Sequence, residues 1–82
     1  MTEEERLLRA VDRFSDLMKD RLLEKLEAGF TGWDDTQYRD SISWNMFDKA
    51  VAVLKERDSY VSGRNCVDIA NFAMMIFIHE GN

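Results

Sequence analysis

The chain has no proline, four glycines, one cysteine and one histidine. Without proline, nothing forces a helix to break, and long helices are open to it. A single cysteine, Cys66, excludes an internal disulfide and points to a reducing, cytoplasmic setting. Long hydrophobic runs are also missing. The most apolar stretch, Ile69–Ile78, is about half the length that a membrane-spanning helix needs. The opening residues, MTEEERLLRAV, are acidic and amphipathic, unlike a secretory signal. Positive charge is in short supply: 11 Lys and Arg stand against 16 Asp and Glu, a net charge of −5. That balance disfavours non-specific binding to nucleic acid or to an anionic membrane. It does not oppose a small nucleotide carried with a divalent cation. Glycine-rich phosphate loops, zinc-ligand spacings and nucleic-acid motifs are absent.

What is present fits a folded helical globule. Apolar residues make up 45% and charged residues 33% of the 82 positions. The length predicts one domain, residues 1–82, of all-α class. A lone chain of this size buries only about 60–65% of the surface its unfolded form exposes, so oligomerisation is an economical route to a larger core.

Apolar periodicity predicts three helices. The first runs from Glu3 to about Ala28, with Thr2 and Glu5 as a capping box and Gly29 as its stop. Leu7, Leu8, Val11, Phe14, Leu17, Met18, Leu22 and Leu26 form its stripe. Arg21 and Lys25 read as outer-face charges. A connection over Gly29–Ser41 carries Trp33 and Tyr38, and Trp33 either plugs the bundle end or meets a ligand. The second helix is predicted to start near Ser41 or Ser43, with Trp44, Phe47, Val51 and Leu54 as its core seam and Met46, Ala50 and Val53 widening the apolar face. Ser62 is the expected cap of a third helix from about Arg64 to His79. That helix is apolar nearly all round, and two neighbours in one small chain can hardly cover it. A homodimer or homotetramer with the third helix at its centre is therefore expected. Met74, Met75, Phe72 and Phe77 fall to core or subunit interface, Cys66 to a packed position, and His79 to the C-terminal helix dipole.

Three polar residues interrupt the apolar helix. Asn65, Asp68 and Asn71 recur at steps of three and share one drifting face. A buried carboxylate needs a cation, a metal or several donors. Asp68 either joins a cap near the helix start or lines a site, while Asn71 lies too deep to cap and needs a partner on another helix. Asn45 and Asp48 on the second helix repeat the Asn-x-x-Asp spacing and offer one. Facing each other, the two pairs supply oxygen ligands of the kind Mg²⁺ accepts, with Asp48 and Asp68 as the charged pair.

Three stretches then resemble a known family. FSDLMKDRL (residues 14–22), Gly32–Trp33 and above all VDIANFAMMI (residues 67–76) are similar to the MazG-like branch of the all-α nucleoside triphosphate pyrophosphohydrolases, especially short forms found in phage and prokaryotic genomes. The resemblance implies an oligomeric helical bundle with a nucleotide pocket between the second and third helices. In that family Glu-x-x-Glu on the second helix and Glu-x-x-Asp on the third hold Mg²⁺. Here the third-helix motif reads Asn65-x-x-Asp68. The second reads Asn45-x-x-Asp48 when aligned by spacing, or Ala50 and Val53 when aligned on Leu54. At least two of four ligand carboxylates are missing.

The combination predicts a nucleotide-binding protein that has lost catalysis and holds or sequesters its ligand, such as a host-defence signalling nucleotide. Its expected contacts are Asn45, Asn65, Asp68, Asn71, Trp33, Trp44, Arg64 and Lys49, with Tyr38, Arg39 and Lys25 nearby, and no residue is assigned a catalytic role. A weak Mg²⁺- or Mn²⁺-dependent pyrophosphohydrolase, and a module that binds another protein through its acidic first helix, are the alternatives.

Overall fold

The computed structural model describes residues 1–82 and contains helices only: α1 (Glu3–Glu27), a short 3-10 turn (Thr36–Tyr38), α2 (Arg39–Lys55) and α3 (Ser59–His79). The ends of α1 follow from the sequence. The Thr2 hydroxyl accepts from the Glu5 amide and the Glu5 carboxylate accepts from the Thr2 amide, the reciprocal capping box. At the other end Gly29 takes φ +90°, a left-handed conformation that favours glycine. Phe30 N–H then donates to Lys25 O and Gly29 N–H to Leu26 O, closing a Schellman motif.

The third helix starts earlier than its expected Ser62 cap. Asp58 is the cap, its carboxylate accepting from the Tyr60 and Val61 amides. Ser62 and Gly63 lie inside the helix, because one glycine costs a helix only about 1 kcal/mol and the turns on either side outweigh it. The link from α2 is therefore three residues, Glu56–Asp58. The shift also moves Asp68 to the tenth position of α3, well beyond reach of the free amides at the helix start. Capping by Asp68 is ruled out.

α3 is the hub. Both α1 and α2 pack on it, while α1 and α2 scarcely meet. The face that α2 turns to α3 differs from the expected seam. Ile42 is buried, and Met46, Lys49 and Val53 are half-buried along one stripe. Trp44, Phe47 and Leu54 lie about 150° round the helix, at 3.6 residues per turn, and are exposed, Leu54 at 80%. Trp44 and Phe47 meet edge to face with ring centroids 5.9 Å apart. α2 is thus apolar on two sides, and only one side has a neighbour.

The chain is poorly closed on itself. Ile42 and Val67 are the only buried apolar residues, and α1 buries none. The accessible surface is 6445 Å², against about 5,100 Å² for a compact monomer of this mass. The radius of gyration is 14.0 Å, against about 11.7 Å for a compact domain of this length. Cys66 is exposed, not packed. No helix is long and apolar enough to cross a membrane.

Candidate functional site

Because α1 and α2 splay apart over α3, a cavity of about 580 Å³ opens between them. α3 forms its floor with Asp68, Asn71, Phe72, Met74 and Met75. α1 and α2 supply the side walls, and the segment Phe30–Trp33 closes one end with Tyr38. The half-buried His79 holds that end in place. Its Nε2 donates to the Trp33 carbonyl at 2.6 Å, and Nδ1 is left buried with no partner. Asp35 caps the 3-10 turn behind it. The Gln37 backbone amide and side-chain amide both donate to this carboxylate and hold its pKa below the ordinary value.

The cavity is polarised along α3. Trp33, tied to His79, lies with Tyr38, Met74 and Met75 toward the C-terminal end of α3, while Phe30 lies under Lys25. Arg21, Lys49 and Asp68 gather at the other end, about 10 Å away along the axis by the 1.5 Å rise between residues 68 and 75. Three cations line the cavity, Arg21, Lys25 and Lys49, against one carboxylate, Asp68. In a chain of net charge −5 this is a local reversal of sign.

Asp68 sits at the centre of a network that ties all three helices. Arg21 Nε donates to Asp68 Oδ1 at 3.0 Å, and Lys49 Nζ lies 3.5 Å from Oδ2. Lys49 also reaches Asn65 Oδ1 at 3.5 Å. Arg21 bonds Glu24 as well, and Glu24 pairs with Arg64 at 3.5 Å. Burial pulls the Arg21 pKa down, but the bond and charge of Asp68, with Glu24 adding to them, outweigh that and raise it above its usual value. The side chains of Arg21 and Asp68 are 18% and 10% exposed, so this pair is largely shielded from water.

Asn71 is 3% exposed. Its Nδ2 donates to the Met18 carbonyl on α1 at 3.2 Å, so its interhelical partner comes from α1 and not from Asn45 or Asp48 on α2. That bond fixes the amide orientation, because a carbonyl can only accept. The Oδ1 is buried without a partner.

Of the residues singled out in the sequence, Asn45, Lys49, Asp68, Asn71 and Trp33 line this cavity. Asn65 is buried behind it, held by Lys49. Trp44 and Asp48 do not line it and are exposed on α2. Arg64 lies instead in a second cleft of about 530 Å³ between α1 and α3, over the Tyr60 ring with 5.9 Å to the centroid. Lys25 lines the main cavity and stacks over Phe30 at 4.5 Å. Arg39 pairs with Glu80 at the far end of the bundle.

The donor set does not fit a Mg²⁺ cage. Asp68 already accepts from Arg21 and pairs with Lys49, Asp48 is exposed outside the cavity, and no three of the His, Cys, Asp and Glu side chains converge on one point. Sequence reasoning also put two cavity-lining cations, Lys25 and Arg21, on the outer face, and Arg21 is the more consequential. It reads as an outer-face charge, yet it continues the Phe14–Met18–Leu22 stripe that packs on α3. That stripe was the available signal: a cation within an inward face needs a buried anion. Compared with protein-family models, curated proteins and solved structures, the chain matches none of them.

Proposed function

We propose that this chain is a MazG-like, nucleotide-binding protein that holds its ligand without cleaving it. The observation that carries the reading is the polarity of the cavity. One end offers aromatic faces and thioethers, which suit a nucleobase. The other end offers Arg21 and Lys49, with Lys25 on the same wall, which suit phosphates. The spacing of the two ends matches a nucleoside carrying its phosphates. Volume and lining fall in the range of small-molecule sites. Asp68 serves as the counter-charge that holds Arg21 and Lys49 in place. Any Mg²⁺ enters with the phosphates of the ligand and is not gripped by carboxylates of the chain. Water activation by a protein-held metal is then missing, which favours binding over hydrolysis. Sequestration of a signalling nucleotide is the use that fits a ligand bound and not turned over.

The protein acts as a homo-oligomer. The accessible surface exceeds that of a compact monomer by about 1,300 Å², and a standard interface buries about 800 Å² per partner. Two separate faces lack a neighbour: the α1 segment with Leu7, Leu8 and Val11, and the outer α2 face with Trp44, Phe47 and Leu54. A second copy of the chain covers one of them in a dimer, and a dimer of dimers covers both.

The test is mass spectrometry of what co-purifies with the protein, followed by titration calorimetry with the nucleotide found. Lys49→Met and Lys25→Met should each weaken binding about tenfold, the loss of one charge-assisted phosphate contact. A co-purified ligand without phosphate, or an affinity indifferent to both substitutions, refutes the assignment.

A further inference from the structure

The inward stripe of α1 runs past its support. Leu7, Val11, Phe14, Met18 and Leu22 fall at steps of three and four and share one face. Polar contacts tie α1 to α3 through Met18, Arg21 and Glu24, all in its second half. Phe14 is the first residue of the stripe to be half-buried, and each of residues 3–13 is exposed. About three turns of helix thus project as an arm. Its apolar face lies uncovered, with Leu7 65% and Val11 60% exposed. Helices in proteins owe most of their stability to the packing of such a face, so the arm calls for a cover. Beside its root, between α1 and α3, opens the second cleft, of about 530 Å³. Phe14 and Leu17 line it on α1, Tyr60 and Val67 on α3, and the exposed Cys66 lies among them. Arm and cleft are opposite in sign. Arg13, Arg21 and Arg64 line the cleft against Asp20 and Glu24, and Arg13 forms no ion pair within the chain. The first turn of the arm carries Glu3, Glu4 and Glu5, of which only Glu3 has a cationic partner, Arg6.

We infer that the arm of one copy seats in the α1–α3 cleft of a second copy, in a closed two-fold dimer whose α1 helices run antiparallel. This rests on the homo-oligomer reading and gives the dimer contact to one of the two open faces. α1 carries both halves of the contact, the arm and one wall of the cleft. Two antiparallel α1 helices bring each arm to the other's cleft, so the same contact is made twice and the assembly closes with no seat left empty. Leu7 and Val11 of one copy meet Phe14 and Leu17 of the second, and the acidic tip of the arm approaches the arginines of the cleft. The area suffices: the surface in excess of a compact monomer is about 1,300 Å², and a standard interface needs about 800 Å² per partner. The outer α2 face stays free to join two such dimers.

The single cysteine reports on the seat, because Cys66 is exposed in the lone chain and covered once an arm fills the cleft. The experiment measures solution mass by light scattering and the rate at which a maleimide labels Cys66, on the full chain and on Leu7→Glu with Val11→Glu. The double variant should have half the mass of the unsubstituted protein. Its thiol should label at least about tenfold faster, since a covered group reacts only through the open state. Leu7→Ala with Val11→Ala serves if the glutamate variant loses helical circular dichroism. An oligomer whose mass the arm variants leave unchanged, or whose Cys66 labels as fast as theirs, overturns the inference while leaving self-association intact. A solution mass equal to one chain overturns the homo-oligomer reading itself, and this inference with it.

Discussion

Substituting Arg21 by Met removes the guanidinium and keeps most of the apolar stem. Asp68 is then left 10% exposed with only Lys49, 3.5 Å away, as a charged partner. Breaking a buried pair from one side costs about 3–5 kcal/mol. The residual exposure and the Lys49 contact place the expected loss at about 3 kcal/mol, the low end. Asp68→Asn should cost less, about 1–2 kcal/mol, because Arg21 keeps Glu24 and an asparagine oxygen can still accept. The double variant then tests whether the two residues act as a pair. If they do, it should cost about as much as Arg21→Met alone, a coupling of about 1–2 kcal/mol. The assay is urea unfolding followed by circular dichroism, at one chain concentration so that the proposed self-association enters every comparison equally. For a chain of this size a loss of 3 kcal/mol lowers Tm by about 12–24 °C. An Arg21→Met variant as stable as the parent, or additive losses in the double variant, would show that Asp68 is not held by Arg21, and the electrostatic picture of the cavity would fall.

Other outcomes follow from the helix ends and the open faces. Asp58→Ala should destabilise by about 1 kcal/mol and Ser62→Ala by a few tenths, since Asp58 is the N-cap of α3; equal losses in thermal melts would contradict the assigned start. Gly63 lies in the exposed interior of α3, and a Cβ there meets nothing within 4 Å. Gly63→Ala should therefore stabilise by about 0.5–1 kcal/mol, and a lower Tm would count against that helix boundary. Trp44→Glu with Leu54→Glu should lower the solution mass by light scattering while leaving α2 packed on α3, and an unchanged mass would remove the outer α2 face from the proposed assembly.

Much of the helical layout was legible in the sequence because the signals were local. Thr2, Glu5 and Gly29 mark α1 by hydrogen-bonding chemistry that needs no tertiary context. The polar stripe Asn65–Asp68–Asn71 was legible for a related reason: polar groups on an apolar helix stand out, and all three are buried. The face of α2 was not. Ile42, Met46, Lys49 and Val53 on one side and Trp44, Phe47, Val51 and Leu54 on the other both recur at three- and four-residue steps, so periodicity cannot say which meets α3. Larger side chains favour the second stripe on hydrophobicity alone, yet the second stripe faces outward. The start of α3 was misplaced because Gly63 resembles a break, whereas the Asp58 carboxylate is the stronger local determinant. Asn71 needed a partner, and the sequence suggested side chains on α2. A backbone carbonyl on α1 leaves no trace in residue identity, so the Met18 contact could emerge only from the fold.

Uptake of an intact nucleotide by the cleft between α1 and α2 is the central claim. The direct measurement is native mass spectrometry of the full chain with each ribonucleoside triphosphate and Mg²⁺, read alongside pyrophosphate release in the same samples. Uptake of about one nucleotide per cavity, abolished by Lys49→Met combined with Lys25→Met and accompanied by no pyrophosphate, is the predicted result. Steady pyrophosphate release, or no bound nucleotide at any concentration tested, would contradict it.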